Sequence, residues 1–153
     1  MDGLMYRRIL VPLEHSATDA CILDHVRLLA RHSGASVVLI HVADGWAARN
    51  MEALKLRESE EIRSDRDYIE RVARELVAEG VQAEAVLANG DPAREICASA
   101  MREQCDLIAM ATHGHKFIGD VIHGSVANTV RHETSIPVLL VRAPSGARRA
   151  SPS

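Results

Sequence analysis

A chain of 153 residues with 47% hydrophobic and 25% charged side chains and a formal net charge of -3 reads as one soluble domain, long enough to bury a core without metal or disulfide staples. No overall basic field argues for nucleic acid, and four aromatics (Tyr6, Trp46, Tyr68 and Phe117) are too few for a base-stacking platform. Cys21, Cys97 and Cys105 lack CxxC or zinc-ligand spacing, and with no signal pattern or membrane-length apolar run they suit a reducing cytoplasm, as small buried hydrophobes.

The first predicted element is the apolar run Arg8-Ile-Leu-Val-Pro-Leu13, as expected of a strand covered on both faces. Glu14-His15-Ser16 follows as a polar loop at its carboxyl end. Ser16-Ala-Thr-Asp19 has capping-box spacing, with Ser16 as N-cap and Asp19 near N3. Ile22, Leu23, Val26, Leu29 and Ala30 then recur at helical spacing until Ser33-Gly34 stops the helix. Ser36 to Val42 is a second unbroken strand, and Ala43 to Asn50 a loop. From about Glu52 to Glu79 a long polar segment reads as a helix with Ile62, Ile69, Ala73 and Leu76 inward and a solvated charged face outward.

After Gly80, Val81 to Leu87 alternates apolar and polar residues, which suits an edge strand. Asn89-Gly90-Asp91-Pro92 reads as a loop with Asp91 as N-cap and Pro at N1, opening a helix through about Glu103 with Ile96, Cys97 and Ala100 inward. Then come a strand at Leu107–Ala111, a loop to Gly124, a short helix at Ser125–His132 and a last strand, Val138–Arg142. Residues 1–143 form the expected domain and 144–153 a Pro-, Ser- and Arg-rich tail. Regular alternation of unbroken strands and helices implies an α/β fold, a single doubly wound parallel sheet with helices on both faces. Ligands of such sheets bind outside the carboxyl ends of the strands, where strand order reverses.

The loop from Ala111 to Ser125 has the make-up of an anion cradle. Gly114 and Gly124 allow close backbone approach, Ser125 stands at the expected helix mouth, and His113, His115 and Lys116 lie between. The bland reading is an ordinary loop with an N-cap serine. His113-Gly-His115 invites a metal reading, but no Cys or carboxylate cluster stands beside it in sequence, and no metal site is expected. His41 and Arg142 read as satisfied sheet-end residues. No Walker lysine, G-x-S-x-G elbow or base–nucleophile pair is present, so no catalytic residue is assigned.

Three stretches together resemble the universal stress protein family: Ile9-Leu-Val-Pro-Leu-Glu-His-Ser16, the loop Ala111-Thr-His-Gly114-x9-Gly124-Ser125, and Thr134-Ser-Ile-Pro-Val-Leu-Leu-Val-Arg142. The resemblance covers all but the tail. It implies a five-stranded sheet of order 3-2-1-4-5 that binds ATP or a related adenine nucleotide, with Mg²⁺ carried by the triphosphate. It further implies phosphates on the amides around Gly114, Gly124, Ser125 and Val126, ribose on Glu14 beside Pro12 and Leu13, and adenine against backbone near Val42 and Met110. The implied partner is a second copy, paired through Val138–Arg142, in a cytoplasmic stress-response or signalling protein with at most slow ATP hydrolysis.

Ala111 stands where the family branch has its first Gly, and Glu14 where an Asp is usual. Ala111 keeps open an interaction module that has lost nucleotide binding. A nucleotide hydrolase or nucleotidyl transferase on the same fold is the other alternative, with Glu14 or His115 positioning a water.

Overall fold

A computed structural model of the chain describes residues 5–44, 51–112 and 120–144. In chain order the elements are β1 (Arg8–Pro12), α1 (Asp19–Ser33), β2 (Ser36–Asp44), α2 (Met51–Ala78), β3 (Ala83–Gly90), α3 (Pro92–Arg102), β4 (Leu107–Thr112), α4 (Asp120–Glu133) and β5 (Val138–Arg142). The strands form one parallel sheet of order β3-β2-β1-β4-β5, as the resemblance implies. β1 therefore lies between β2 and β4, and connections leave it toward both sides.

Alternate strand residues feed two cores because successive side chains point to opposite faces. Ile9, Val11, Val37, Leu39 and Ala109 pack with Ile22 and Val26 of α1 and Ile69, Val72 and Leu76 of α2. Leu10, Val38, Ile40 and Ile108 pack on the other face with Ile96 and Ala100 of α3 and Val130 of α4. Each central strand is thus apolar through its middle, at Ile9–Val11, Val37–Ile40 and Leu107–Ala111, which is why its sequence runs unbroken there rather than alternating. β3, an edge strand, carries exposed Glu84 and Asn89 among half-buried neighbours, as its alternation indicates.

The expected helix stops hold. Gly34 closes α1 at φ 76°, its N–H donating to the Ala30 carbonyl at 2.8 Å, a left-handed cap that glycine adopts without a Cβ penalty. Asp91 caps α3 by accepting the Arg94 N–H at 3.0 Å, with Pro92 in the first turn. Cys105 is buried and Cys21 and Cys97 are half-buried, all as free thiols. Burial pushes the Cys105 thiol up to about 11, so it behaves as a small apolar side chain at neutral pH.

Three boundaries differ from the sequence reading. β3 runs to Gly90 instead of ending at Leu87, because β2 extends to Asp44 and pairs Ala43 with Asn89 and Asp44 with Gly90. Ser16 is not the N-cap of α1. That place falls to Thr18, which makes no side-chain cap bond. The Asp19 N–H instead donates to the Ser16 carbonyl at 3.0 Å, while the Asp19 carboxylate takes the Ser16 amide at 3.3 Å, so only the backward half of the expected capping box forms.

The third difference is at α4, which begins at Asp120, five residues before Ser125. Gly124 and Ser125 therefore lie in its second turn and not at its mouth. An interior glycine costs a helix only about 1 kcal/mol, and an acid in the first turn suits the macrodipole, so Gly124 does not act as a stop.

At the amino end of the sheet, the Asp106 carboxylate accepts the amides of Arg7 and Arg8 at 3.0–3.1 Å. Arg8 Nε donates to the Glu103 carbonyl at 2.8 Å, and Arg8 Nη2 pairs with Glu103 Oε1 at 2.9 Å. These bonds stitch β1 to the turn before β4. Among the described residues no helix is long and apolar enough to cross a membrane.

Candidate functional site

The carboxyl ends of β1 and β4 are neighbours, and beyond them opens a crevice of about 420 Å³, within the usual size of small-ligand sites. Pro12, Leu13 and Glu14 come to it from the end of β1, and Met110 and Ala111 from the end of β4. Val42 arrives from β2 and Val126 from α4. Residues singled out in three distant stretches of sequence are thus brought to one cavity by the sheet order.

The crevice has further walls that the sequence reading did not assign. Ile40 and His41 of β2 and Pro92 and Ile96 of α3 line it, with Ser16 and Asp19 at the β1–α1 turn. The strand alternation already sends Ile40 to the α3 side, whereas the sequence gives His41 only the character of a sheet-end residue. Val42, Ile96, Met110 and Val126 make one side apolar, and Glu14 makes the β1 rim acidic. His113, Gly114, His115 and Lys116 lie outside the described residues. Gly124 and Ser125 lie in the α4 backbone, one turn past its start, and the adjoining Val126 lines the crevice.

The β1–α1 turn is organised by Asp19, whose side chain belongs to a residue only 2% exposed. Its carboxylate accepts the Glu14 and His15 amides, each at 2.8 Å, and the Tyr68 hydroxyl at 2.6 Å. A buried carboxylate is tolerated when such donors replace its water. Asp65, one turn before Tyr68 on α2, lies 2.7 Å from His15 Nδ1 and 3.2 Å from His41 Nε2. His41 Nδ1 donates to the Leu13 carbonyl at 2.9 Å. Arg71 sits over the Tyr68 ring at 5.4 Å from its centroid. Glu14 itself accepts the Ser16 hydroxyl at 3.4 Å. Among the described residues no buried side-chain polar atom lacks a partner.

Burial first, and then donation to the negatively charged Asp19, raise the Tyr68 phenol above the ordinary tyrosine value. A raised value means that the fold favours the protonated form. The contribution is complete below the unfolded value of about 10 and is lost as pH climbs from there through the folded value. Tyr68→Phe is therefore expected to flatten the loss of stability above about pH 10 and to remove the latest component of the ultraviolet phenolate titration. A variant whose alkaline melting curve and titration match the parent would contradict the assignment.

A model of the universal stress protein family matches residues 5–142. The universal stress protein MJ0577 of Methanocaldococcus jannaschii is 26% identical over 92% of this chain and 97% of its own. The solved structure of MJ0577 superposes with a TM-score of 0.81 at 28% identity, covering 92% of this chain and 98% of that one. Two more distant structures share the fold at 19% identity. One, a universal stress protein in complex with cAMP, has a TM-score of 0.62 over 91% of this chain and 98% of its own. The other, from Archaeoglobus fulgidus in complex with dAMP, has a TM-score of 0.61 over 90% and 98%.

Proposed function

The chain belongs to the universal stress protein family, and from that premise we propose that its crevice binds an adenine nucleotide and that the protein serves as a nucleotide-responsive stress or signalling factor. The observation that carries the reading is the crevice itself. It stands at the topological switch point, combines an apolar wall with an acidic rim, and takes Val126 from α4 as one of its walls. That adenine nucleotides occupy two relatives of the same fold supports the ligand class.

The residues present fit such a ligand. The apolar side formed by Val42, Ile96, Met110 and Val126 suits a purine, whose edge would meet backbone groups near Val42 and Met110. Glu14 would accept ribose hydroxyls, as a carboxylate with two oxygens can. Phosphates would lie toward Ala111, the loop bearing His113, Gly114, His115 and Lys116, and the start of α4, where helix amides and their dipole favour anions. With α4 opening at Asp120, the unpaired amides are those of its first turn, so phosphate donation from α4 would come from that turn and not from the backbone of Gly124, Ser125 and Val126, one turn further along. With a triphosphate, Mg²⁺ would be held through phosphate oxygens and water.

The same reading makes a second copy of the chain the partner. β5 is one edge of the sheet and carries Leu140, 39% exposed. An uncovered strand edge offers a row of backbone partners. Pairing through Val138–Arg142 would cover it.

Calorimetric titration of nucleotide-stripped protein with Mg-ATP, AMP and cAMP tests the proposal, with light scattering on the same sample reporting assembly. At a hundredfold excess over Kd, a nucleotide that binds only the folded state adds about 2.7 kcal/mol, expected to raise Tm by about 5–10 °C for a domain of this size. Absence of heat at several temperatures, together with an unmoved Tm, would reject nucleotide binding. A monomer at assay concentration would reject the paired edge.

A further inference from the structure

His15 is one of two non-glycine residues with positive φ among the described residues, at 66°. That backbone costs an L-residue about 1–2 kcal/mol and persists where the surroundings over-determine it. At His15 they do so three times. Its amide donates to Asp19 Oδ2 at 2.8 Å. Its ring stacks on Tyr68, centroids 4.2 Å apart and planes 15° from parallel. Its Nδ1 lies 2.7 Å from Asp65 Oδ1.

The residue immediately before this pinned position is Glu14, whose amide is held by the other oxygen of Asp19 at 2.8 Å. Asp65 and Tyr68 are three apart on α2 and so share a helix face. One turn of α2 therefore grips the loop twice: at His15 directly, and at Asp19 through the phenol at 2.6 Å. A capping box needs only one backward bond, to the N-cap amide, whereas the Asp19 carboxylate also takes the Glu14 and His15 amides further ahead.

We propose that Asp19, Tyr68 and Asp65 are positioning residues for Glu14, so that α2 sets how well the crevice recognises a ribose. The inference rests on the reading of Glu14 as ribose acceptor and deepens it. Glu14 has one more methylene than the usual acid of the family, and a longer side chain has more rotamer freedom to lose on binding. A loop clamped on both sides of its Cα keeps the backbone contribution to that freedom small, which is how a supporting shell raises the affinity of a contact it does not make. Tyr68 acts through Asp19, and Asp65 through His15; neither needs to touch the nucleotide.

Tyr68→Phe is the central test, because it removes the hydroxyl and keeps the ring on which His15 stacks. Affinities for AMP and for 2′,3′-dideoxy-AMP are measured on parent and variant, in the wild-type and the Glu14→Ala backgrounds. The expected result is a loss of about five- to tenfold for AMP with dideoxy-AMP unchanged, and no further loss once Glu14 is alanine. Asp65→Asn should reproduce the pattern more weakly. In the unliganded protein, hydrogen exchange at the Glu14 and His15 amides should accelerate in Tyr68→Phe while the α1 amides from Ile22 onward stay protected.

Equal losses for the two nucleotides, or a full loss persisting in the Glu14→Ala background, would overturn the proposal in favour of a purely structural contact. Unchanged exchange at Glu14 and His15 would overturn it as well. Those results leave nucleotide binding itself standing, whereas a parent protein that binds neither nucleotide overturns both readings.

Discussion

Ile108→Ala is expected to destabilise the domain by about 4 kcal/mol, near the upper part of the range for emptying a buried aliphatic site. Ile108 is fully buried, pairs with Leu10 of β1 on one side and Val138 of β5 on the other, and sits in the core beneath α3 and α4. Neighbours on four sides leave little room for collapse into the space. The loss is a large share of a typical total of about 5–15 kcal/mol. Equilibrium urea unfolding with an unchanged m-value would report it as a lower midpoint, accompanied by a fall in Tm on the order of 8–16 °C. Leu140→Ala supplies the contrast: at 39% exposed on an edge strand, it should cost the monomeric fold less than about 1 kcal/mol. Equal losses at the two sites would contradict the burial pattern.

The second large effect is on the ligand. Val126→Trp is expected to abolish saturable nucleotide binding, by a factor of about a hundred or more, while leaving the melting temperature within a few degrees of the parent. Val126 is half-buried and faces the crevice from α4, so added bulk has open volume to enter. Overpacking a filled core costs about 1–3 kcal/mol, but a side chain that grows into a cavity avoids most of that. An indole there takes volume from a site of only about 420 Å³, and a purine and an indole cannot share the apolar side. Val42→Trp, entering from β2, should give the same loss. Two variants that both fold and both retain the parent affinity would place the nucleotide elsewhere.

The strands were legible because their chemistry is local. Ile9 to Val11, Val37 to Ile40 and Leu107 to Met110 are apolar at every position, and only a sheet covered on both sides makes use of that. The helix ends at Gly34 and Asp91 were legible for a similar reason: a glycine or an aspartate there answers a backbone demand within three or four residues. Seven of the residues expected at the site converge on the crevice because each lies at or beside the carboxyl end of a strand or on the helix that follows, where parallel topology gathers loops.

The misjudged parts depend on partners distant in the chain. Asn89 and Gly90 carry turn chemistry, yet they continue β3 because Ala43 and Asp44 are there to pair with. Asp19 has the spacing of a capping residue, and nothing near it in sequence announces Tyr68, 49 positions on, as its fourth donor. His15 and His41 are 26 apart in number and meet at one carboxylate supplied by α2. Single-sequence periodicity assigns Asp65 to a solvated face, and the fold then turns that residue toward the β1–α1 loop.

The central place of β1 also shapes how the chain folds as it is made. Arg7 and Arg8 wait for Asp106, a partner 98 to 99 positions downstream, and β1 has β4 as its second neighbour. At translation speeds of roughly 5–20 residues per second, β1 is exposed on one side for about 5–20 seconds after synthesis, even when β2 and β3 have already docked on the other. During that interval the nascent chain presents a bare strand edge, apolar from Ile9 to Val11. A strand at the centre of the finished domain is thus the most vulnerable one on the ribosome, where an aggregation partner or a chaperone would meet it first.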